Sequence, residues 1–504
     1  MSADPSAELR VDLRNPSGAQ EQALAHLIAV PEIADALGER FAAAGHQLWL
    51  VGGSVRDLLL DRAGRSPDLD FATDATPEQM KRIARGWAEA VFDLGEAFGT
   101  IGLQREGQRL EVTTFRRESY DRDSRNPTVQ WGDSLEGDLA RRDFTVNALA
   151  VSVPDHVFVD RAGGMRDLAA GVLDTPAAPE ASFDDDPLRI LRAARFTVQL
   201  AQPGRVFAPA PRVVAAMREL APRLSIVSPE RVRDELARLM VADDPVPGLE
   251  LLVDTGVADV VLPELPRLRT EADPLHRHKD VYLHSLAVLR NTIDNEVRLP
   301  GGGPDLAVRL AALLHDIAKP DTRRFTPGGG VTFHYHDTKG AHMARKRLKA
   351  LRFDNQLTHD VTQLIEMHLR FHGYRGDGGT PWTDSAVRRY VTDAGPLLDR
   401  LHVLVRSDCT TRNERRAKAL SRAYDDLEDR IATLQAKEEL ALARKPDIDG
   451  DEVQRLLGIP PGPLVGAALR HLTELKLEHG PLGHDRADEE LHAWAVANGV
   501  GPSD

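Results

Sequence analysis

The chain has 504 residues, 42% of them hydrophobic and 28% charged, which is enough for several domains around a sizeable core. Its formal net charge of −14 excludes a uniformly basic nucleic-acid binder, so any RNA contact must come from local basic clusters. Aromatics at 5% argue against base-stacking platforms, and one cysteine, Cys409, excludes an internal disulfide and a thiolate zinc cage. No apolar run is long enough for a bilayer and the N-terminus is unlike a signal peptide, so a cytoplasmic protein without membrane contact is expected.

Residues 1–28 read as a flexible N-terminal arm. From 29 to 160 the pattern mixes helices and strands. Pro31–Ala44 reads as a helix, His46–Val51 and Asp68–Thr73 as strands, and Pro77–Ala90 as a helix. Thr100–Gln104 and Arg109–Arg116 read as a hairpin about Glu106-Gly107, and Val157–Asp160 as a short last strand. Residues 161–270 turn helical, with helices expected at Asp186–Gln199, Pro229–Val241 and Pro247–Thr255. Residues 271–420 are helical and His-rich, broken by the loop Pro327–Gly330. Residues 421–504 read as a C-terminal helical region, with a long charged helix or helix pair over Ala417–Arg444 and a smaller helical module over Asp451–Asn498. The fold class expected is α+β: a mixed-sheet head followed by all-α segments.

The first chemical marker is Leu50-Val51-Gly52-Gly53-Ser54-Val55-Arg56-Asp57. A glycine pair closes an apolar strand and opens a helix. Glycines let backbone N–H groups approach phosphate, and the helix N-terminus adds favourable partial charge. Arg56 can return to the same phosphates, with Asp57 as its brace or a helix cap. Asp68-Leu69-Asp70 follows; its carboxylates at i and i+2 of a strand share one face and can hold one hard divalent ion. Together they describe a site for a nucleoside triphosphate and its magnesium. Glu111, on a neighbouring strand, reads equally as a third carboxylate and as a solvated charge on the open face of the hairpin.

Two further runs are Asp138-Leu139-Ala140-Arg141-Arg142-Asp143-Phe144-Thr145-Val146-Asn147-Ala148-Leu149, read as leading into an apolar helix, and Asp186-Pro187-Leu188-Arg189-Ile190-Leu191-Arg192-Ala193-Ala194-Arg195-Phe196. In the second, Asp186, Arg189, Arg192 and Arg195 recur at near-helical spacing along one flank, as for a lined cleft. The ordered set Gly-Gly-x-x-Arg-Asp, Asp-x-Asp, Arg-Arg-Asp-Phe-Thr-x-Asn-Ala and Asp-x-x-Arg-x-x-Arg-x-x-Arg-Phe resembles the bacterial (class II) tRNA CCA-adding nucleotidyltransferases. Glu230-Arg231-Val232-Arg233-Asp234-Glu235-Leu236 is similar to a further helix of that family.

This resemblance implies a polymerase-β-like head, then helical neck and body, over roughly residues 30–420. It implies nucleotide contacts from Gly52, Gly53 and Arg56, magnesium at Asp68 and Asp70, and a nucleotide pocket lined by Arg142, Asp186, Arg189, Arg192 and Arg195. The substrates implied are CTP, ATP and tRNA; DNA is not expected. The neighbouring poly(A) polymerases carry a basic Gly-Arg-Arg-Phe-type segment where this chain has Phe98-Gly99-Thr100-Ile101-Gly102-Leu103, which favours CCA addition. A catalytically silent RNA-binding protein is the reading from another class, and the intact Asp68/Asp70 pair argues against it.

Cytosine and adenine share an exocyclic amine beside an acceptor ring nitrogen; uracil and guanine present a carbonyl beside a ring N–H. An Asp that accepts and an Arg that donates, one helical turn apart, suit the first pair and mismatch the second. Asp186 and Arg189 can supply them. Unpaired buried polar groups can reject a wrong substrate by ~10⁴-fold.

The His-rich segment contains Leu313-Leu314-His315-Asp316-Ile317-Ala318-Lys319, which resembles the HD metal-dependent phosphohydrolase signature. His284, His336, His368 and Asp408 complete an ordered ligand set for a two-metal centre, with His342 and His372 as substitutes for His336 and His368. Mixed imidazole and carboxylate ligands suit manganese, nickel, cobalt or iron better than magnesium.

Overall fold

The structure, a computed structural model, describes residues 8–62, 68–94, 99–119, 128–131, 134–269, 280–326, 331–374, 382–411 and 413–500. Phe98, the start of the segment 271–420, the loop Pro327–Gly330 and the His372 side chain, all used in the sequence reading, lie outside the described residues.

The head is built on a mixed sheet of eight strands: β1 (Leu9–Asp12), β2 (Leu48–Val51), β3 (Asp68–Thr73), β4 (Ala90–Asp93), β5 (Thr100–Arg105), β6 (Gln108–Thr114), β9 (Leu149–Val153) and β10 (Val157–Asp160). Between them in the chain, β7 (Arg116–Ser119) and β8 (Thr128–Trp131) form a separate two-stranded ribbon. The sheet order is β1-β10-β9-β2-β3-β6-β5-β4, antiparallel throughout except for the parallel pair β3–β6.

Period-two alternation sends successive residues to opposite faces. Leu48, Leu50, Leu69, Phe71, Leu110 and Val112 face one apolar cluster, which also takes Leu37 and Phe41 of helix Glu32–Ala43. Trp49, Val51, Ala72, Ala148 and Ala150 face a second. That second face also carries Asp68, Asp70 and Glu111, because each is out of phase with its buried neighbour. Gly38 lets the helix lie on the sheet, since a Cβ there would sit 2.6 Å from the Val153 carbonyl carbon.

Several expectations are corrected. The arm at 1–28 contains β1, paired with β10, and helix Ala19–Leu27, with Val11, Leu13 and Leu24 buried. The helix expected over Pro77–Ala90 ends at Ala84, and Ala90 opens β4. The apolar helix expected after Asp143 is a single 3-10 turn, Thr145–Asn147, then strand β9. All five residues of β9 are buried, so its sequence shows no alternation to betray a strand.

By internal packing the described residues fall into two compact units: 1–368 with 399–410, and 369–398 with 411–504. In the first, helices Leu188–Gln199, Pro229–Met240 and Val246–Asp254 follow the head. Helices Val281–Asn295, Leu306–Leu314, His336–Ala350, Asn355–Met367 and Leu398–Ser407 then carry the His-rich segment. The second unit holds helix Asp384–Ala394, the single long helix Glu414–Arg444 and, after it, three shorter ones, Gly450–Leu457, Pro463–His479 and His484–Ala497. The shorter three enclose their own core of Val453, Leu472 and Leu491.

Arg309, in the helix that precedes His315, joins that segment to the neck. It makes two 2.7 Å bonds to Glu296, and its Nη1 donates to the carbonyls of Met240 at 2.9 Å and Ala242 at 2.6 Å. Both charged side chains are 4% exposed. Removing one partner of such a pair strands the other charge, at a cost of about 3–5 kcal/mol. Glu296→Ala should therefore lower the unfolding free energy by that amount in urea titrations; a loss below about 1 kcal/mol would mean that Arg309 reaches solvent.

Candidate active site and candidate metal centre

Gly52 ends β2 with φ 67°, a conformation that favours glycine, and caps helix Gly53–Leu59. A Cβ on it would meet Arg142 Nη1 at 2.5 Å. The loop is tied to the acidic strand by Ser54, whose Oγ accepts from the Asp70 amide at 2.9 Å. Sequence reading missed Ser54, because a serine after two glycines has no distinguishing pattern. Asp57 braces Arg56 by two hydrogen bonds, Nε–Oδ1 at 2.9 Å and Nη2–Oδ2 at 3.0 Å.

Arg56 Nη1 donates to Asn147 Oδ1 at 2.6 Å, and Asn147 Nδ2 donates to Asp143 Oδ1 at 3.0 Å. Asp143 Oδ2 accepts from Arg192 Nε at 2.7 Å. Glu235 then accepts from Arg195 Nε at 2.6 Å and lies 3.7 Å from Arg192 Nη1. Asn147, Asp143 and Glu235 stood within the quoted motifs without a role; the structure places them as the buried links of one network. Although burial opposes it, Arg192 and Asn147 hold the Asp143 carboxyl well below its ordinary range. Burial pushes Arg195 down to about 10 against the opposing charge of Glu235. Arg142 is held by Asp138, which is 1% exposed and also binds Arg141.

These groups surround a cavity of about 560 Å³ lined by Gly52, Gly53, Arg56, Asp70, Arg142, Arg192 and Arg195, with Phe196 and Arg238 also in its wall. Asp70 faces Glu111 across the parallel pair β3–β6 in direct register. Burial, then Glu111, raises the Asp70 carboxyl to about 6. Clustered carboxylates that resist ionising are a ready site for a divalent ion. Glu111 itself also pairs with Arg109 at 3.1 Å. Asp186 and Arg189 are not in the cavity wall. Asp186 is paired with Arg231 at 2.9 Å, and Arg189 donates to Ser182 Oγ and the Arg141 carbonyl, each at 2.7 Å.

A second cluster brings all six His-segment residues together. Asp316, fully buried, lies between two groups, His284–His315–Asp316 and Asp316–His336–His368, each with potential ligand atoms within 4.8 Å of one another. Asp408 Oδ1 approaches His284 Nε2 at 3.0 Å and His315 Nε2 at 3.7 Å. His315, His336 and His368 each donate Nδ1–H to a carbonyl three residues back, at 2.8, 2.6 and 2.6 Å. That fixes the tautomer and turns the Nε2 lone pairs inward, the usual outer-shell arrangement for metal-binding imidazoles. His315 Nε2 and Asp316 Oδ1 are buried with no hydrogen-bond partner among the described residues. Such orphaned atoms of opposed elements fit a bound cation. Burial, followed by His315, pushes His368 down to about 4, which favours the neutral, ligating ring. Lys319 Nζ bonds Asp316 Oδ2 at 2.5 Å and partly offsets its charge. His342 is exposed on the helix that His336 opens and is absent from the cluster.

The raised Asp70 pKa has a thermodynamic consequence. Proton binding stabilises the metal-free fold fully below pH 3.8, and that contribution is lost as pH rises through about 6. Asp70→Asn should therefore raise the Tm of chelator-treated protein at pH 7.5, and by clearly less at pH 5. Magnesium should raise the Tm of the unmodified protein but not that of the variant. Equal shifts at both pH values would show that Asp70 ionises normally.

Residues 48–174 match the poly A polymerase head domain, residues 206–268 the probable RNA and SrmB-binding site of polymerase A, and residues 281–431 the HD domain. The chain is 33% identical over 452 residues to the A-adding tRNA nucleotidyltransferase of Deinococcus radiodurans, an alignment covering 88% of this chain and 94% of that one. It is 32% identical over 455 residues to the CC-adding tRNA nucleotidyltransferase of Thermus thermophilus, covering 88% and 92%. The CCA-adding enzyme of Bacillus subtilis is 40% identical over 224 residues, 44% of this chain and 52% of its own length. Among solved structures, a CCA-adding enzyme in an apo form superposes with a TM-score of 0.58 at 21% identity, covering 95% of this chain and 98% of that one. The Thermotoga maritima CCA-adding enzyme complexed with tRNA gives 0.55 at 18% identity, covering 96% and 99%. The fold is thus that of an α+β nucleotidyltransferase with a helical body and HD segment. Among the described residues no helix is long and apolar enough to cross a membrane. With near full-length relatives above 30% identity, this chain belongs to the tRNA nucleotidyltransferases.

Proposed function

We propose that the protein adds C, C and A to the 3′ end of immature tRNA from CTP and ATP, in the cytoplasm, with release of pyrophosphate. The observation that carries this is the convergence of the glycine loop, Asp70 and six arginines on one cavity in a tRNA nucleotidyltransferase. Asp68 and Asp70, with Glu111 opposite, would hold magnesium, which supplies neutralisation of the triphosphate and activation of the attacking hydroxyl. The Gly52 and Gly53 loop, Arg56 and Arg142 receive the phosphates. Arg192 and Arg195, fixed by Asp143 and Glu235, orient the nucleotide. Asp186 and Arg189 read the base edge; to do so they exchange Arg231 and Ser182 for the base.

The head, expected over 29–160, extends back to include β1; the further boundaries we assign are 161–270 for nucleotide selection and RNA binding, 271–420 for the HD segment and 421–504 for a further helical region. His284, His315, Asp316, His336, His368 and Asp408 would hold manganese, nickel, cobalt or iron, supplying an activated water for hydrolysis of phosphates or cyclic phosphates on RNA ends. A second reading has a specific basis: the two near full-length relatives are named A-adding and CC-adding, so this chain would add only part of the triplet.

The test is tRNA ending before CCA, incubated with each NTP and magnesium, with products resolved by length. Three added nucleotides support the proposal. Two cytidines only, or one adenosine added only to tRNA ending in CC, would assign a partial adder, and a long A-tail a poly(A) polymerase. Asp68→Ala or Asp70→Ala should cut incorporation about a thousandfold, equivalent to about 4 kcal/mol, without unfolding. Changing Asp186 or Arg189 to Ala should narrow the kcat/KM gap between CTP or ATP and UTP or GTP; an equal fall for all four would make them positioning groups.

His315→Ala or Asp316→Ala should abolish transition-metal-dependent hydrolysis of model phosphoesters and leave CCA addition within about twofold (about 0.4 kcal/mol). Absence of hydrolysis in the unmodified protein would make the cluster a structural metal site.

A further inference from the structure

Between Lys319 and Lys349 the chain has eight Lys or Arg and two Asp, a local charge of +6 in a molecule of −14. Most of it lies on helix His336–Ala350. Lys339, His342, Lys346 and Lys349 follow i, i+3, i+7, i+10 and are all exposed, with exposed Arg345 on the flank. The helix distinguishes two kinds of cation. Arg347 turns inward to Glu264, at 3.0 and 2.9 Å, and Lys339 pairs with Asp321 at 3.3 Å. Arg345, Lys346 and Lys349 have no ion pair among the described residues. A net-acidic protein that leaves three adjacent cations uncompensated on one face presents a local anion-binding surface.

Its position gives the surface a meaning. His336, the first residue of this helix, belongs to the His/Asp cluster. Past the last turn, Arg352 touches the neck helix: its carbonyl accepts from Arg233 at 2.8 Å, and its guanidinium lies 3.9 Å from Glu230. That neck helix also supplies Arg231 to Asp186 and Arg238 to the nucleotide cavity. From Lys339 to Lys349, ten residues at 1.5 Å each, the cations make a track about 15 Å long that starts one turn from His336 and ends beside the helix that carries Arg238 to the nucleotide cavity.

We propose that the exposed face of helix His336–Ala350 binds the phosphate backbone of the tRNA substrate, so that one docked RNA is held between the two centres. The inference rests on the tRNA-processing reading above. A polyanionic strand fits better than an acidic protein, because helix His336–Ala350 exposes no large apolar or aromatic anchor, Met343 beside the stripe being half-buried. Each phosphate neutralised releases counterions, so the signature is a salt slope rather than a fixed affinity.

The test uses full-length protein carrying Arg345→Gln, Lys346→Gln and Lys349→Gln together. A control variant removes the same charge elsewhere, at exposed Arg415, Arg416 and Lys418. Binding of tRNA lacking CCA is measured between about 50 and 200 mM salt, beside steady-state addition. We expect the slope of log K against log salt to become less negative by about 2–3, and KM for tRNA to rise about tenfold or more. The kcat, KM for CTP and Tm stay unchanged. An unchanged slope overturns the proposal, as does an equal loss in the control variant or a loss seen only for a polyglutamate peptide. Unmodified protein that binds tRNA through this helix yet adds no nucleotide would overturn the activity reading and leave the track standing.

Discussion

The buried carboxylate of Asp143 is the constraint on which the nucleotide site depends. One oxygen accepts from Asn147, which accepts from Arg56 of the glycine loop; the other accepts from Arg192 of helix Leu188–Gln199. The head thus acquires its geometry from a residue pair that the helical half completes. An isolated carboxylate at this depth would be protonated or would draw in water. Arg192 and Asn147 make ionisation favourable instead, and the ionised group then fixes two cations at the cavity wall. Arg195 repeats the device with Glu235, so the pocket's positive charge is largely counterbalanced before any triphosphate arrives. Preorganised cations of this kind need no reorientation when charge develops on the substrate.

The His/Asp cluster follows the opposite rule. Its rings are locked from outside by carbonyls, while the inward atoms of His315 and Asp316 are left without hydrogen bonds. Such an arrangement is costly unless a cation completes it. In the nucleotide site charge is balanced by protein, whereas in the cluster the protein supplies ligands and leaves part of the balance to a guest.

Much of both centres was legible in the sequence because their chemistry is local. Gly52-Gly53, Asp68-x-Asp70 and His315-Asp316 each act through neighbours one or two residues away, and β3 and β6 show their period plainly. What escaped was set by distance. β9 is buried on both faces and looks like any apolar run. β1 is short and borrows its order from β10, 145 or more residues later in the chain. Ser54 acquires its role from the Asp70 amide across the loop. The positions of Asp186 and Arg189 were also beyond reach: helical spacing put them on a flank with Arg192, but Arg231, Ser182 and the Arg141 carbonyl decide where their polar atoms lie.

The two centres are far apart in sequence yet mechanically joined, and the join is specific. Helix Leu306–Leu314 ends at His315 and carries Arg309 two turns earlier, on the carbonyls that end neck helix Pro229–Met240. The ligands themselves make no bond to the neck among the described residues, whereas Arg309 makes two. Separable chemistry and shared stability are therefore compatible. Loss of a ligand removes a charge from the cluster and leaves the Arg309–Glu296 pair in place. Loss of Arg309 frees the neck end whose Glu235 fixes Arg192 and Arg195, and so reaches the nucleotide pocket without touching it.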